Sequence, residues 1–271
     1  MAEIILKNPL REVFYKVAKN PLYLLKYRLF YGKEFTDLIH IGTSTYCNLR
    51  CKNCPHSIYE DGLKKNESRM SGELFKKLID DLARINYRGS VAFCFFNEPL
   101  ADERFLKFAS YIKRKLPKLK EMPVYTNGFL LTLELYKKMI EAGVKDITLT
   151  QYTEIPKQVP EILRYDNTHG KHITFRRFNK GIMENVGGEL KDGNIIEKAR
   201  CTYPDNPIMI NPNGDVVLCC NDYHSSVIWG NIKNETLFDI FNKPGFKKFR
   251  KRIKQGKFDL EICKKCRGLI T

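Results

Sequence analysis

The chain has 271 residues, and 47 Lys and Arg against 31 Asp and Glu give it a formal net charge of +16. With 43% hydrophobic and 29% charged residues, the composition excludes a disordered chain and a collagen-like fibre. No apolar run reaches the roughly 20 residues that span a bilayer, and the basic balance favours anionic partners.

The N-terminal segment, residues 1–35, combines apolar residues at helical spacing with several Lys and Tyr side chains. This pattern predicts a helical basic segment that packs against the rest of the chain, with a peripheral membrane contact as the alternative. Because the segment shows no secretory signal, we expect a cytoplasmic protein. The cytosol keeps thiols reduced, so the nine cysteines are expected to be metal ligands or catalytic groups.

Residues 36–180 alternate between predicted strands and helices. Such alternation predicts a parallel sheet with right-handed crossovers, in which functional residues gather where the strands end. Loops that follow the first three strands would then meet at one mouth. We predict strands at 38–45, 90–96, 122–126, 145–152 and 172–178, and helices from Ser71 onward, over 102–116 and over 132–142.

Three cysteines, Cys47, Cys51 and Cys54, follow the first predicted strand in a C-x₃-C-x₂-C pattern. Thiolates suit zinc or an iron–sulfur cluster. A structural zinc needs a fourth ligand, which His56 could supply. A four-iron cluster held by three cysteines instead leaves one iron open to a small molecule. The residues by themselves leave both alternatives open.

A second group of cysteines lies beyond residues 181–200, which contain four glycines and are predicted to form a linker. An Asn-Pro-Asn-Gly turn predicts a hairpin over 208–218, which is followed by helices near 236–241 and 246–255. Four thiolates can enclose an iron–sulfur cluster or a structural zinc ion. The candidate ligands are Cys201, Cys219, Cys263 and Cys266.

The remaining cysteines are Cys94 and Cys220. Each is expected to be either a small buried apolar residue or a thiol that returns a hydrogen atom to a substrate. Cys220 is the better candidate for the second role because it adjoins Cys219. Asp222 is a candidate base or substrate contact, and the alternative is that it belongs to a polar loop. The basic run 247–257 predicts either a phosphate contact or a solvated helix face.

Three elements in this order resemble the signature of the radical S-adenosylmethionine (SAM) enzymes: the cysteine loop, Phe96 to Leu100 and Thr126 to Gly128. Residues 201–271 resemble the short twitch form of the SPASM extension that many of these enzymes carry. The resemblance implies an α/β fold. It consists of a partial (β/α)₆ TIM-like barrel over 36–180 and a small C-terminal twitch domain, a β-hairpin with helices, over 201–271.

The resemblance also implies the cofactors. A first [4Fe–4S] cluster would be held by Cys47, Cys51 and Cys54, with SAM on its fourth iron. A second, auxiliary [4Fe–4S] cluster would be held by the four C-terminal cysteines. One electron would cleave SAM to a 5′-deoxyadenosyl radical, which abstracts a substrate hydrogen atom. The expected SAM contacts are Asn97, Glu98, Asn127 and Arg177. Arg176 is a second candidate for the SAM carboxylate, and the alternative is that one or both arginines face solvent.

In size and in its single auxiliary cluster, the chain resembles 2-deoxy-scyllo-inosamine dehydrogenase-like members of the family. That resemblance implies oxidation or epimerisation of a small polar sugar or cyclitol, including phosphorylated or nucleotide-linked forms, with the auxiliary cluster as electron relay. An external one-electron reductant, flavodoxin or ferredoxin, would be the protein partner, and we expect no DNA partner. The alternatives are a SPASM-type maturase that modifies a ribosomal peptide or protein, RNA modification, or a zinc-stabilised basic binding module.

Overall fold

The computed structural model of the protein describes residues 34–52, 54–58, 68–178, 184–190, 193, 195 and 200–270. The predicted N-terminal basic segment, with its membrane alternative, lies outside the described residues except for Glu34 and Phe35. Much of the predicted linker 181–200 also lies outside them. Within the described ranges, no helix is both long and apolar enough to cross a membrane.

All strands in the described part of the chain belong to one eight-stranded sheet, in the order β5-β4-β3-β2-β1-β6-β7-β8. The first six pair in parallel, and β7 and β8 are antiparallel additions. The strands are β1 (Leu38–Ile41), β2 (Ser90–Phe93), β3 (Pro123–Thr126), β4 (Asp146–Gln151), β5 (Ile173–Arg177), β6 (Ile208–Ile210), β7 (Asp215–Val217) and β8 (Ile228–Asn231).

Helices connect the parallel strands and then follow the hairpin. Hydroxyl side chains begin three of them, because Ser71, Thr132 and Thr236 each accept a hydrogen bond from a backbone N–H of the first turn. The helices are α1 (Pro55–Ile58), α2 (Gly72–Arg84), α3 (Phe105–Lys115), α4 (Leu133–Glu141), α5 (Val159–His169), α6 (Leu237–Asn242), α7 (Pro244–Lys254) and α8 (Glu261–Cys266).

The α/β fold class is confirmed, and so are the positions of the five predicted barrel strands and of the hairpin. The sixth parallel strand comes from the hairpin itself, since β6 pairs with β1 from Ile39↔Ile208 to Ile41↔Ile210. The open edge of β1 is thereby covered. Cys219 consequently follows β7, a strand of the same sheet that lies two strands from β1 and the first cysteine loop.

The two faces of the sheet differ because side chains alternate along each strand. One face, which includes Ile39, Val91 and Leu149, packs under the helices in a single apolar core. The other face carries the alternate residues, His40, Ala92, Tyr125 and Thr148 among them. We call this second face the inner face of the sheet. The mouth is the edge at which the parallel strands end.

Candidate active site

The first cysteine loop leaves β1 and turns into α1. The N–H of Cys54 donates to the carbonyl of Cys51 at 3.0 Å, and Arg50 donates to the carbonyl of Cys47 at 3.0 Å. Burial raises the pKa of all three thiols, and burial together with the charges of Cys54 and Cys47 raises the pKa of Cys51 to about 11. A bound metal would favour the thiolate form of these side chains.

His56 is buried on α1, as the zinc alternative requires of a ligand. Among the residues that the structure describes, however, no three His, Cys, Asp or Glu side chains meet tightly enough to hold a single metal ion. Within the described part of the chain, the loop and His56 therefore do not form a closed four-ligand shell for a single ion.

Glu98 joins the second strand end to the third. Its carboxylate is 2% exposed and accepts three hydrogen bonds. Thr126 donates its hydroxyl at 2.7 Å, and the N–H groups of Asn127 and Leu100 donate at 2.8 and 3.1 Å. Burial raises the pKa of Glu98, and these bonds oppose that rise. The structure thus places the predicted SAM contact Glu98 as a brace between two strand ends.

Asn127 extends the brace to the cysteine loop. Its Nδ2 donates to Oδ1 of Asn48 at 2.9 Å, and its Oδ1 accepts from the N–H of Phe129 at 3.0 Å. The next residue, Gly128, has φ +80°, a left-handed conformation that favours glycine. Asn48 was missed in the sequence analysis, although its place directly after Cys47 was a signal.

Asn97 contributes a buried oxygen with no partner. Its Oδ1 makes no hydrogen bond to any part of the chain that the structure describes. The backbone beside it is fixed, because the N–H of Glu98 donates to the carbonyl of Tyr46 in the cysteine loop at 3.0 Å. A buried acceptor without a donor is costly, so this oxygen suits a ligand with N–H groups, as the amino group of SAM has.

The two arginines at the end of β5 lie on opposite faces. Arg176 pairs with Thr150, on the inner face, whereas Arg177 pairs with Gln151 and shares the face of Phe175, which packs against the apolar core. Both side chains are exposed. The predicted SAM contact Arg177 is thus on the helix-covered side, and Arg176 is the arginine on the inner face.

The second cysteine group surrounds a pocket next to α8. The walls of this pocket include all four predicted ligands, Cys201, Cys219, Cys263 and Cys266. Burial raises the pKa of each thiol, and for Cys263, where the pKa rises to about 12, the sulfurs of Cys201 and Cys266 are the next causes. Four thiols that line one pocket fit the four ligands of a closed iron–sulfur cluster.

Two polar residues of this pocket region were missed. Asn221 donates its backbone N–H to Sγ of Cys219 at 3.4 Å and its Nδ2 to Sγ of Cys266 at 3.5 Å. The same Nδ2 donates to Glu184 Oε2 at 2.9 Å. Asn221 had a signal, because it lies two residues after a ligand. Glu184 had none, since it lies in the Gly-rich stretch predicted as a linker.

Cys220 directly follows the predicted ligand Cys219. Burial raises the pKa of its thiol, and Glu184, Cys94 and two auxiliary cysteines also raise it. Burial likewise raises the pKa of Cys94, to about 12. The predicted hydrogen donor is thus beside the auxiliary cysteines, and its segment contacts the β2 end through Tyr223 and Phe96, whose rings are 4.7 Å apart.

Asp222 is fully buried and stabilises its own loop. Its Oδ1 accepts from the N–H and hydroxyl of Ser226 at 2.7 and 2.8 Å, and its Oδ2 accepts from the N–H of Val227 at 3.1 Å. These contacts make Asp222 a bracing residue. Its catalytic role stays a prediction without a contact that supports it.

Family profiles match two parts of the chain. The radical SAM superfamily matches residues 41–171, and the SPASM iron–sulfur cluster-binding domain matches residues 201–267. The first match covers the cysteine loop and the braced strand ends. The second covers the pocket with four cysteines.

Individual relatives agree with these matches. The S-adenosyl-L-methionine-dependent 2-deoxy-scyllo-inosamine dehydrogenase of Niallia circulans is 26% identical over 239 residues, which are 86% of this chain and 93% of the relative. A tungsten-containing aldehyde ferredoxin oxidoreductase cofactor-modifying protein of Pyrococcus furiosus is 31% identical over 106 residues, 39% of this chain and 28% of the relative. The crystal structure of BtrN in complex with AdoMet and 2-DOIA has a TM-score of 0.77 at 24% identity, over 86% of this chain and 93% of that one.

Proposed function

The chain belongs to the radical SAM superfamily and carries a SPASM iron–sulfur domain, and we propose that it dehydrogenates an alcohol carbon of a small cyclitol or amino sugar. It is an enzyme that uses SAM and two iron–sulfur clusters. The observation that carries the substrate proposal is the similarity to a cyclitol dehydrogenase along 93% of that relative. The single eight-stranded sheet supports it, since Cys47 follows β1 and Cys219 follows β7, two strands further along the same sheet.

The cysteines divide between two clusters in this proposal. Cys47, Cys51 and Cys54 would hold the first, and the four cysteines of the pocket would hold the second. When bound, the first cluster and SAM supply a 5′-deoxyadenosyl radical that removes a hydrogen atom from the substrate. The protein orients these groups and excludes water from them.

The strand ends supply the SAM contacts. Asn97 Oδ1 would accept a hydrogen bond from the SAM amino group, because it is buried and has no partner among the described residues. An arginine at the end of β5 would bind the carboxylate, and the strand alternation favours Arg176 over the predicted Arg177. Glu98 would hold Asn127 in place by accepting a hydrogen bond from its backbone N–H.

The oxidation removes two hydrogens from one alcohol. The carbon loses a hydrogen atom to the deoxyadenosyl radical, and the resulting substrate radical then loses one electron and its hydroxyl proton to become a ketone. The auxiliary cluster would accept that electron, since its site lies beside the mouth. The basic net charge of +16 is compatible with an anionic form of the substrate.

Epimerisation is the second candidate, because Cys220 adjoins the predicted ligand Cys219 and its segment contacts the β2 end through Tyr223 and Phe96. In that reaction the Cys220 thiol would return a hydrogen atom to the opposite face of the substrate radical, so that no ketone forms. The thiyl radical left on Cys220 would take up one electron from the external reductant and one proton, which restores the thiol. Cys220→Ala would then stop turnover while hydrogen abstraction continued. A dehydrogenase would be little affected by the same substitution.

A one-electron reductant, flavodoxin or ferredoxin, would start the reaction. All nine cysteines of the chain are free thiols in the structure, which supports a reducing compartment such as the cytoplasm.

The direct test is an anaerobic incubation of reconstituted enzyme with SAM, reductant and a panel of cyclitols and amino sugars, free and phosphorylated. We expect one product that has lost two hydrogens per 5′-deoxyadenosine formed. A product of unchanged mass with an inverted centre would support epimerisation instead. Formation of 5′-deoxyadenosine without conversion of any panel member, together with modification of a peptide, would overturn the proposal.

A further inference from the structure

The auxiliary pocket has a polar residue in its wall, Asn221, which is hydrogen-bonded to Glu184 behind it. Asn221 is 5% exposed, and its Nδ2 reaches both Cys266 Sγ at 3.5 Å and Glu184 Oε2 at 2.9 Å. An amide nitrogen carries two hydrogens, one for each acceptor. The backbone N–H of the same residue points at Cys219 Sγ at 3.4 Å. One residue therefore directs donors at two predicted cluster ligands.

Glu184 is held against this amide. Its Oε1 accepts from the hydroxyl of Tyr203 at 2.6 Å, which leaves Oε2 turned to Asn221. Beyond the effect of burial, the carboxylate of Glu184 also raises the pKa of Cys201, Cys220 and Cys266. The negatively charged Glu184 is thus close to the pocket and is also hydrogen-bonded to Asn221 in the pocket wall.

The N–H···S bonds of Asn221 and the charge of Glu184 shift the reduction potential of a cluster in opposite directions. The reduced cluster carries one more negative charge than the oxidised cluster. N–H groups that donate to the ligand sulfurs stabilise the reduced state and raise the reduction potential. A nearby carboxylate destabilises it and lowers the potential.

We propose that Asn221 and Glu184 together set the reduction potential of the auxiliary cluster, Asn221 by its N–H···S bonds and Glu184 by its charge and by orienting the Asn221 amide. They are positioning residues for electron transfer and do not touch the substrate. This inference rests on the proposed auxiliary cluster and its role as electron acceptor.

The test is a redox titration of the auxiliary cluster, followed by electron paramagnetic resonance. The protein is the full chain with Cys47, Cys51 and Cys54 changed to Ala, so that only the auxiliary cluster contributes. Asn221→Ala and Glu184→Gln are introduced into this background.

We expect Asn221→Ala to lower the midpoint potential and Glu184→Gln to raise it. Each substitution should change the ratio of oxidised to reduced cluster at a fixed potential roughly tenfold. For a one-electron couple this corresponds to a shift of about 59 mV in the midpoint potential. Two matched controls come from the same segment. Asn185→Ala loses a bond to the backbone of Lys265, and Glu189→Gln removes a carboxylate that faces His224 at 3.4 Å. Neither control should shift the potential comparably.

The outcomes separate this inference from the proposed function. About four irons in the parent chain and shifts of opposite sign in the two variants support the inference. An unchanged potential in both variants, or shifts no larger than the controls give, would overturn it and leave the dehydrogenase proposal standing. Zinc in place of iron at the auxiliary site would overturn both.

Discussion

Asn127 Nδ2 donates to Asn48 Oδ1 at 2.9 Å, across 79 residues of sequence. This bond fixes the residue after Cys47 to the end of β3. The end of β3 is in turn fixed to Glu98 by two hydrogen bonds. The cysteine loop, which otherwise consists of turns, is thereby attached to two neighbouring strands of the rigid sheet.

The first prediction concerns retention of the first cluster. Asn48→Ala and Asn127→Ala should each speed the loss of iron from this cluster to a chelator by several-fold, because each removes the same anchor of the loop. The double variant should be no faster than the single ones, since residues that share one bond are not additive. Iron release followed by absorbance measures this.

A control for this prediction is Asn242→Ala, which removes side-chain bonds to the carbonyls of Glu34 and Phe238 and none at the cysteine loop. Additive effects of the two loop substitutions, or equal loss in the control, would show that the Asn48–Asn127 bond does not hold the loop.

The second prediction concerns Glu98. Glu98→Gln should lower the unfolding free energy of the cluster-free chain by roughly 2 kcal/mol, because an amide cannot accept bonds at both ends and leaves a buried donor unpaired. Glu103→Gln is the matched control. That carboxylate is exposed and pairs only with Arg69 in the described structure, so its loss should cost at most about 0.5 kcal/mol. Equal losses in urea denaturation would refute the bracing role.

The third prediction concerns pH. His40 is buried on the inner face, and neither ring nitrogen has a hydrogen-bond partner among the described residues. Burial lowers the pKa of His40 to about 4, from an ordinary value of 6.5. Its contribution to stability is therefore complete above pH 6.5 and is lost as the pH falls toward 4, because the unfolded chain takes up the proton first.

Wild type should accordingly lose up to about 3 kcal/mol more than His40→Leu between pH 7 and pH 4. The difference between the two unfolding curves isolates His40 from the other histidines. Parallel curves across that range would mean that His40 is protonated or solvated in the folded protein.

The fourth prediction separates the two arginines of β5. Arg176→Ala should weaken SAM binding roughly tenfold or more, the usual effect of losing a hydrogen bond to a charged group. Arg177→Ala should change it little, since that residue lies on the helix-covered face. Anaerobic calorimetry on reconstituted enzyme measures both affinities. The reverse result would identify Arg177, the arginine predicted from the sequence, as the SAM contact.

The sequence predicts local features of this protein well. The cysteine loop, Glu98 and the Thr126–Gly128 turn each follow a strand that is recognisable in the sequence, so their common location could be predicted. Helix α5 was not predicted, because Pro156 and Pro160 interrupt the pattern at its start. Proline nevertheless fits the first turn of a helix, where its missing N–H is not needed, and Pro160 occupies such a position.

Features that depend on strand register could not be predicted. The pairing of β6 with β1 and the Asn48–Asn127 bond join residues through the sheet, which no local pattern encodes. Alternation predicts that Arg176 and Arg177 take opposite faces, but only the pairing of β5 with β4 shows which of them is on the inner face. Glu184 could not be found for a similar reason. Its partners, Tyr203 and Asn221, come from beyond the predicted linker.

The most direct test of the central claim is a deuterium-transfer experiment. A cyclitol substrate found in the panel would carry deuterium at the carbon that is oxidised, and the 5′-deoxyadenosine formed would be analysed by mass spectrometry. We predict one deuterium in the 5′-deoxyadenosine for each ketone produced. Ketone production with unlabelled 5′-deoxyadenosine would contradict the account, because the hydrogen atom would then leave the substrate by another route.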